Sequence, residues 1–392
     1  MKSLELFSGA GGLARGLELA GFDHVAMVES NKHAVATLRS NFQPARVFAE
    51  DVRAFDLSDL GQVDLVAGGP PCQPFSLGGK HRAHHDQRDM FPHAIQAIAQ
   101  LAPRAFVFEN VKGLLRLSFA DYFEYIILQL NHPEFKHDAG DWREHHRQLK
   151  QLEASGNHSL RYHVQYKLVN AADYGVPQQR ERVIIVGLRS DLKATWQFPE
   201  ATHSAGRLLW DQNVTGEYWK RHGLEQPQTD LVQRQKLEQR YGLFPPTLQP
   251  WQTIRDAIHN LPDPRVEHEI LDHSFRPGAR SYPGHTGSEM DWPAKTIKAG
   301  DHGVPGGENM IRFEDGTVRY FTVLEAKRLQ GFPDDFVIHG AWGEAMRQLG
   351  NAVPVRLAEV IGKQLSRVLS TEPSDDAQPV IVSRVRHAQI QQ

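Results

Sequence analysis

The first 190 residues alternate short apolar runs with amphipathic segments. The runs that predict β-strands, each short and followed by turn residues, are 4–7, 24–28, 45–49, 63–67, 105–108 and 182–188. Helical periodicity predicts helices at 13–20, 31–41 and 92–101. This alternation is typical of βαβ units. We therefore expect an α/β fold with a Rossmann-like, mostly parallel sheet that carries helices on both faces.

The pattern changes after about residue 190. Prolines become frequent between 199 and 310, and the strand–helix alternation is lost. Helical patterns return at 322–330 and at 355–369. We therefore predict a catalytic domain over 1–190, an irregular region over 191–315, a return segment over 316–370 that completes the first domain, and a loose tail over 371–392. Residues 131–160, rich in charge and histidine, predict an exposed helical insertion.

Composition narrows the class of protein. The chain of 392 residues is 40% hydrophobic and 23% charged, as is usual for a globular protein. No run reaches the roughly 18 apolar residues of a membrane span, and the N-terminus has no apolar signal core. The net charge of -3 is not typical of a nucleic-acid binder as a whole, although basic residues can still cluster on one face.

The single cysteine excludes an internal disulfide and a CxxC metal site. His81, His84, His85 and Asp86 have a spacing that metal ligands can share, but nothing around them predicts a rigid cage. We predict no metal site.

Three features follow successive predicted strands. FSGAGG at 7–12 is a glycine turn into a helix, Glu29 ends the second strand, and Asp51 follows the third. Ligands of open α/β sheets bind at the carboxyl ends of strands, where an acid typically binds ribose hydroxyls. Asp51 could accept a hydrogen bond from an adenine amino group. Each acid alone can be a solvated cap, but the three in order indicate a nucleoside-containing cofactor.

Cys72 lies in GGPPCQPFS at 68–76, just past the fourth strand, and Glu109 lies just past the next one. Pro70 and Pro71 fix φ and stiffen the turn before the thiol. A thiol in such a turn is a candidate nucleophile, although a lone cysteine is usually a small buried hydrophobe. A thiolate and a carboxyl group beside a nucleoside cofactor suggest covalent catalysis assisted by an acid.

Gln178, Arg180 and Arg182 alternate in PQQRERV at the start of a predicted strand. A period of two places them on one face, where two guanidinium groups could hold phosphate or orient a carboxylate. Read alone, such arginines are more often solvated surface residues.

In this order, the motifs resemble those of the DNA (cytosine-5) methyltransferases that use S-adenosylmethionine. The resemblance covers nearly the whole chain, and the insertion at 131–160 is the main departure. It runs through LFSGAGG, Glu29, Asp51, GGPPCQPFS, FENV, YGVPQQRERV, RYFTVLEAKRLQGFP (319–333) and GNAVP (350–354).

The resemblance implies a fold, a cofactor and a role for each matching residue. Cys72 would attack C6 of a cytosine, Glu109 would hydrogen-bond its N3 and amino group, and Arg182 would hold Glu109 and the base. Arg180, the remaining member of the catalytic set, would meet the backbone of the target nucleotide. The S-adenosylmethionine site would be formed by Phe7, Gly9, Gly11, Glu29, Asp51, Pro71 and Asn351.

The resemblance also implies how DNA is bound. A base inside a duplex cannot meet a thiol, so the cytosine must be flipped out. Residues 77–89 would form a closing loop, and 191–315 a target recognition domain in which Thr296-Ile297 matches the Thr–aliphatic pair of the family. The DNA-binding residues would be Ser76, Lys80, Arg82, Gln178 and Thr296.

Three functions fit these motifs: a DNA methyltransferase, a tRNA methyltransferase, and a DNA-binding regulator without activity. The long proline-rich region favours the first, because it suits reading of a DNA sequence. A complete set of Cys72, Glu109, Arg180 and Arg182 disfavours the third. We expect double-stranded DNA as substrate, a restriction endonuclease that acts on the same site as functional partner, a monomer, and a cytoplasmic, nucleoid-associated location without membrane contact.

Overall fold

A computed structural model describes residues 1–71, 89–136, 141–155, 160–192, 194–228, 230–299 and 309–371. Its largest element is a seven-stranded sheet, ordered β3-β2-β1-β4-β5-β7-β6. The strands are β1 (Lys2–Leu6), β2 (Asp23–Val28), β3 (Val47–Phe48), β4 (Leu65–Gly68), β5 (Ala105–Val111), β6 (Tyr162–Asn170) and β7 (Glu181–Arg189). Neighbours pair in parallel, except that β7 is antiparallel to both β5 and β6. The predicted mostly parallel α/β fold is confirmed.

The helices of the first half are α1 (Gly12–Leu19), α2 (Lys32–Asn41), α3 (Phe91–Leu101), α4 (Ala120–Asn131) and α5 (Trp142–Ser155). Those of the second half are α6 (Ala205–Asn213), α7 (Glu217–Arg221), α8 (Leu231–Tyr241), α9 (Ile254–Ile258), α10 (Val323–Leu329), α11 (Trp342–Asn351) and α12 (Val355–Ser370). Short strands complete the list: β8 (His203–Ser204) with β9 (Gln249–Pro250), and β10 (Ser288–Glu289), β11 (Met310–Arg312) and β12 (Val318–Tyr320) in a three-stranded sheet. Within the described residues, no helix combines the length and apolarity that a bilayer crossing requires.

The main sheet is covered on both faces, as its alternating side chains require. On one face, Leu4 and Leu6 of β1 pack with the apolar sides of α3 and α4. On the other, Leu65 and Ala67 of β4 pack with α1 and α12. Two apolar cores therefore hold the sheet rigid, and its carboxyl-terminal edge is left for ligands.

Helices α1 and α12 approach each other closely because glycines lie at their contact. A Cβ atom on Gly16 would lie 2.3 Å from Cβ of Ala358, and one on Gly362 would lie 2.8 Å from Cβ of Ala20. Real Cβ atoms do not come so close, so the contact requires glycine at both positions. The last helix is thus fitted directly onto the first.

The region after residue 190 shares a core with the return segment. Ile254, Ile297 and Ile311 pack with Phe321 and Leu329 in one buried cluster. Helix α10 begins with the capping box expected of the TVLE pattern, in which Thr322 and Glu325 bond each other's backbone N–H groups. The irregular region is therefore packed against α10.

The structure differs from the predicted elements at several places. Strand β3 covers Val47–Phe48 and not 45–49, because residues Pro44–Arg46 form a 3-10 turn. Strand β6 and helices α4 and α11 have no counterpart in the prediction, and neither do the short elements between residues 199 and 320. The insertion at 131–160 contains the helix α5, but this helix is not simply exposed: Leu149 and His145 are buried against α4, and His145 Nδ1 bonds the Tyr125 hydroxyl at 2.9 Å.

Candidate active site

A cavity of about 900 Å³ opens at the carboxyl ends of β1, β2, β4 and β5. Its wall also includes residues that follow β3 and the end of α11. Nine of the predicted site residues line it together: Phe7, Gly9, Glu29, Asp51, Pro71, Glu109, Arg180, Arg182 and Asn351. The predicted cofactor and catalytic groups therefore share one space, although they are up to some 340 residues apart in the chain.

The glycine turn after β1 has three residues in the left-handed region. Phe7 has φ 57°, Gly9 has φ 55° and Gly11 has φ 82°. Glycine adopts this conformation freely, but a phenylalanine does so only under the constraint of its surroundings. A Cβ on Gly9 would meet no atom within 4 Å, whereas one on Gly11 would lie 2.7 Å from the Phe42 ring. The space beside Gly9 therefore belongs to the open cavity. Gly11 does not line the cavity, and its missing side chain lets α1 pack against Phe42 and Leu38.

Glu29 is held at the cavity by two backbone donors. Its Oε2 accepts from Gly9 N at 2.8 Å, and its Oε1 accepts from Asn31 N at 2.7 Å. Asn31 in turn caps α2 by accepting from His33 N and Ala34 N. A carboxylate has about four acceptor positions, so Glu29 retains capacity for two ligand hydroxyls.

Asp51 is bound by an arginine that the sequence reading did not include. Arg53 donates from Nε to Oδ1 at 2.9 Å and from Nη2 to Oδ2 at 2.6 Å. These hydrogen bonds lower the pKa of Asp51 to about 2, so the group is a carboxylate at neutral pH. Asp51 lines the cavity. A hydrogen-bond donor of a ligand would have to use the acceptor positions of the carboxylate that Arg53 leaves free.

Glu5 is a second cavity residue that sequence reasoning missed. It points from β1 into the cavity lining, is 1% exposed, and its Oε2 has no hydrogen-bond partner. Burial raises the pKa of this carboxyl group well above its usual range, although a backbone bond from Ala14 opposes the shift. The sequence does contain a signal for this residue, because Glu5 stands between the apolar residues Leu4 and Leu6 of a predicted buried strand.

Glu109 lies inside β5 and not after it, which corrects the predicted strand end. Strand β4 pairs with β5 only as far as Phe108, whereas β7 continues the pairing, with Glu109 opposite Ile184 and Val111 opposite Arg182. The antiparallel strand thus supports β5 beyond the edge of its parallel neighbour. The Glu109 carboxyl group therefore projects into the cavity from a fixed backbone.

Arg182 forms an ion pair with Glu109. Its Nε lies 2.6 Å from Oε1, in a geometry too bent for a linear hydrogen bond, and both side chains are 11% exposed. Burial lowers the pKa of Arg182, and the charge of Glu109 opposes that shift. The pair orients the carboxylate, as the alternating arginine pattern suggested.

The Pro70–Pro71 turn is attached to the same strand. Asn110 donates from Nδ2 to Pro70 O at 3.0 Å, and Met90 N donates to Pro71 O at 3.2 Å. The predicted nucleophile Cys72 and the predicted DNA-binding residues Ser76, Lys80 and Arg82 lie outside the described residues, as do the four metal-type residues at 81–86. The chain nevertheless enters this segment at Pro71, which lines the cavity, and a Cβ atom on the nearby Gly69 would lie 3.5 Å from Oε2 of Glu109.

Arg180 and Gln178 are buried, and neither lies within β7. Arg180 is 1% exposed and donates to Ile297 O at 3.2 Å and to Gly350 O at 2.7 Å. Burial and the nearby Arg182 lower the pKa of Arg180 well below its usual range, and Glu109 opposes this. Arg180 reaches the cavity wall, and its Nη groups donate to two backbone carbonyls of the protein, so its predicted contact with the target nucleotide stays a prediction.

Gln178 is fully buried, and both ends of its carboxamide bond the protein. Nε2 donates to Leu329 O at 3.2 Å and Oε1 accepts from Ile297 N at 3.1 Å. In this structure no polar group of Gln178 is available to DNA, which corrects its predicted contact. Thr296 is partly exposed and donates to Gln179 O at 2.7 Å. The stretch 177–180 is therefore a junction that joins the irregular region, α10 and α11.

A family model for the C-5 cytosine-specific DNA methylases matches residues 1–139 and 135–367. The chain belongs to this family. It is a DNA (cytosine-5) methyltransferase. The Type II methyltransferase M.NgoMIV of Neisseria gonorrhoeae is 32% identical over 94% of this chain and 98% of its own length. The Type II methyltransferase M.PspPI of Psychrobacter sp. is 34% identical over 95% of this chain and 80% of its own.

Solved structures of methyltransferases show the same fold. The S. pombe Dnmt2 methyltransferase has a TM-score of 0.56 at 19% identity, over 94% of this chain and 98% of its own. The Entamoeba histolytica methyltransferase EhMeth has a TM-score of 0.57 at 16% identity, over 95% and 99%. At this identity the likeness concerns the fold alone. The DNA methyltransferase function rests on the family match and on the Type II relatives.

Proposed function

We propose that this methyltransferase uses S-adenosylmethionine and methylates C5 of a cytosine flipped out of duplex DNA, through a bond between Cys72 Sγ and C6. The observation that carries the proposal is the Glu109–Arg182 pair, which shares a cavity with the residues of a nucleoside-type site. Pro71, the residue before Cys72, lines the same cavity. Glu109 and Cys72 are then catalytic residues, and Arg182 orients Glu109.

The residues present fit S-adenosylmethionine. Glu29 offers acceptors to ribose hydroxyls, and the ionised Asp51 offers acceptors to an amino group. The partnerless Oε2 of Glu5 is a buried acceptor on the same cavity wall and would suit an ammonium group. Phe7, Pro71 and Asn351 complete the lining, and Gly9 adds the open space that a bound molecule requires.

The proposed chemistry assigns one task to each residue. Glu109, which is a carboxylate in its ion pair with Arg182, must first take up a proton. The Cys72 thiolate then adds to C6 of the cytosine while Glu109 supplies that proton to N3, so that C5 becomes nucleophilic. S-adenosylmethionine, when bound, would supply an electrophilic methyl group and leave as S-adenosylhomocysteine once its sulfur–methyl bond has broken. After C5 has taken up the methyl carbon, the C5 proton leaves to a base, the N3 proton returns to Glu109 and the Cys72 sulfur departs as thiolate, which restores the aromatic ring. The charge of Arg182 favours the thiolate and the correct orientation of Glu109.

The context of the reaction is also proposed. The Type II relatives support a role as the modification enzyme of a restriction-modification system, with an endonuclease of the same specificity as functional partner. We further propose that 191–315 reads the sequence of the duplex, that 1–190 and 316–370 form the catalytic domain, and that the enzyme acts as a monomer in the cytoplasm, where bacterial DNA lies.

Trapping with 5-fluorocytosine tests the covalent step. A duplex that contains this base at the target position should form an adduct that survives denaturant, because C5 then carries fluorine and has no proton to lose. Peptide mass mapping should locate the adduct at Cys72, and the C72A variant should form none. Normal methylation of ordinary DNA without such an adduct, or an adduct on another residue, would contradict the mechanism.

The cofactor site predicts an effect of Glu29→Gln. The amide nitrogen would face one of the two N–H donors that now bind the carboxylate, so the group should turn away from the cavity. We expect S-adenosylmethionine to bind about 10-fold more weakly or worse, the size of one lost hydrogen bond to a charged group. Isothermal titration measures this directly. The control is Glu18→Gln on α1, an exposed partner of Arg15. Equal affinity in the two variants would remove Glu29 from the cofactor site.

A further inference from the structure

A short surface segment of the irregular region, 276–285, has the sequence RPGARSYPGH. It contains two Pro–Gly pairs, and both glycines have a positive φ, 95° at Gly278 and 84° at Gly284. Proline followed by glycine with positive φ is typical of a type II turn. The second turn is closed by two backbone bonds between Tyr282 and His285, at 3.2 and 2.8 Å. The segment is therefore fixed by hydrogen bonds on the C-terminal side of its middle residues, 279–281.

The ends of this Pro–Gly segment are anchored, and its middle is not. The guanidinium group of Arg276 lies over the Trp342 ring, 5.6 Å from its centroid, and the rings of Tyr282 and His285 lie 4.5 Å apart. Arg280 lies between these anchors. It is exposed, and within the described part of the chain it forms no ion pair or hydrogen bond through its side chain. In contrast, Arg265 in the same region is paired with Asp263.

A series of contacts connects the segment to the catalytic cavity. Thr286, the next residue after the segment, accepts from Lys295 Nζ at 3.1 Å, and Lys295 is followed by Thr296. Thr296 donates to the carbonyl of Gln179, whose neighbour Arg180 lines the cavity. The turn at 282–285 is therefore tied by a few direct contacts to the wall of the space into which a cytosine must be placed.

We propose that Arg280 reads a guanine in the major groove of the substrate duplex and so fixes one base pair of the recognition sequence. This inference rests on the proposed function. A guanidinium group can donate two parallel hydrogen bonds to O6 and N7 of guanine, and no other base offers that pair of acceptors. Such reading suits Arg280, which is exposed, lies beside a hydrogen-bonded turn and forms no ion pair with any of the described residues. A phosphate contact would need only the charge.

The experiment compares Arg280→Ala and Arg280→Lys with the wild-type enzyme on a plasmid library with randomised sites. Bisulfite sequencing gives the base preference at every position of the site. If Arg280 reads a guanine, both variants should lose about 5- to 150-fold of the preference at one G·C pair and keep it elsewhere, because lysine cannot form the bidentate contact. The control is Arg265→Ala, which should leave the preference unchanged.

Two results would overturn the inference. An unchanged base preference in both variants would exclude a reading role. Uniformly weaker methylation by Arg280→Ala, with wild-type behaviour of Arg280→Lys and a salt dependence of binding reduced by about one phosphate contact, would identify a phosphate contact instead. If the wild-type enzyme methylated no duplex at all, the proposed function itself would be wrong. That result differs from the two results that would contradict the role of Arg280. Thermal unfolding of each variant confirms that the protein is folded.

Discussion

Replacing Glu109 with glutamine is expected to slow methyl transfer by about 10²–10⁴-fold, the range that general acid catalysis contributes. The amide keeps the shape of the side chain but cannot give a proton to N3 of the cytosine. The substitution also removes the negative charge that faces Arg182 at 2.6 Å, which leaves a buried guanidinium group without its partner. Binding of S-adenosylmethionine should remain, because the proposed cofactor contacts are made by Glu29 and Asp51 and not by Glu109.

The measurement is single-turnover transfer of tritiated methyl groups to duplex DNA, together with cofactor affinity. Glu181→Gln is the matched control, since Glu181 is the first residue of the neighbouring strand and forms an exposed ion pair with Lys112 at 2.9 Å. That control should retain the wild-type rate. If Glu109→Gln also retained it, Glu109 would not be the acid, and the assignment of this cavity as the reaction site would lose its main support.

Arg180→Ala should have the largest effect on stability. The variant would leave the carbonyl groups of Ile297 and Gly350 without their donors inside the protein. Each such loss costs about 1–3 kcal/mol, so the free energy of unfolding should fall by about 2–6 kcal/mol. Affinity for DNA should fall as well. Ile297 belongs to the region proposed to read the duplex, and the bond from Arg180 helps to hold that region in place.

Urea unfolding and DNA-binding measurements test this expectation. Arg180→Lys should lose less, because an ammonium group can still reach one of the two carbonyls. Arg147→Ala serves as control: Arg147 forms an exposed pair with Glu144 on α5, a type of contact that contributes about 0.3–0.5 kcal/mol. If Arg180→Ala were as stable as that control and bound DNA normally, the junction would have no structural role.

The sheet was predictable because its strands are continuous apolar runs, and burial on both faces leaves few other structures for such runs. Strand β6 escaped prediction for the opposite reason. Its sequence, YHVQYKLVN, interleaves polar residues, and most of its side chains are only partly buried. Helix α5 was found by its pattern, but its exposure was misjudged, since histidines that read as solvated are buried by aromatic and hydrogen-bonding partners on α4.

The candidate site was predictable where a residue follows a strand, as Glu29 and Asp51 do. The site could not be predicted at positions whose side chains bond distant segments of the chain. Gln178 and Arg180 have the spacing of a ligand-binding pair, and only the three-dimensional contacts with Ile297, Leu329 and Gly350 show that they join segments. The same limit applies to Arg53, whose pairing with Asp51 depends on side-chain geometry.

The two helices of the α1–α12 contact are made at opposite ends of protein synthesis. Helix α1 is among the first elements to be made, but the helix that covers its glycine face is made roughly 340 residues later, which takes about 17–70 s at ordinary translation rates of about 5–20 residues per second. Asn351, which lines the cavity proposed to hold the cofactor, is made at nearly the same late moment. This cavity is therefore incomplete until synthesis has almost finished, and during that interval α12 does not yet cover the glycine face of α1.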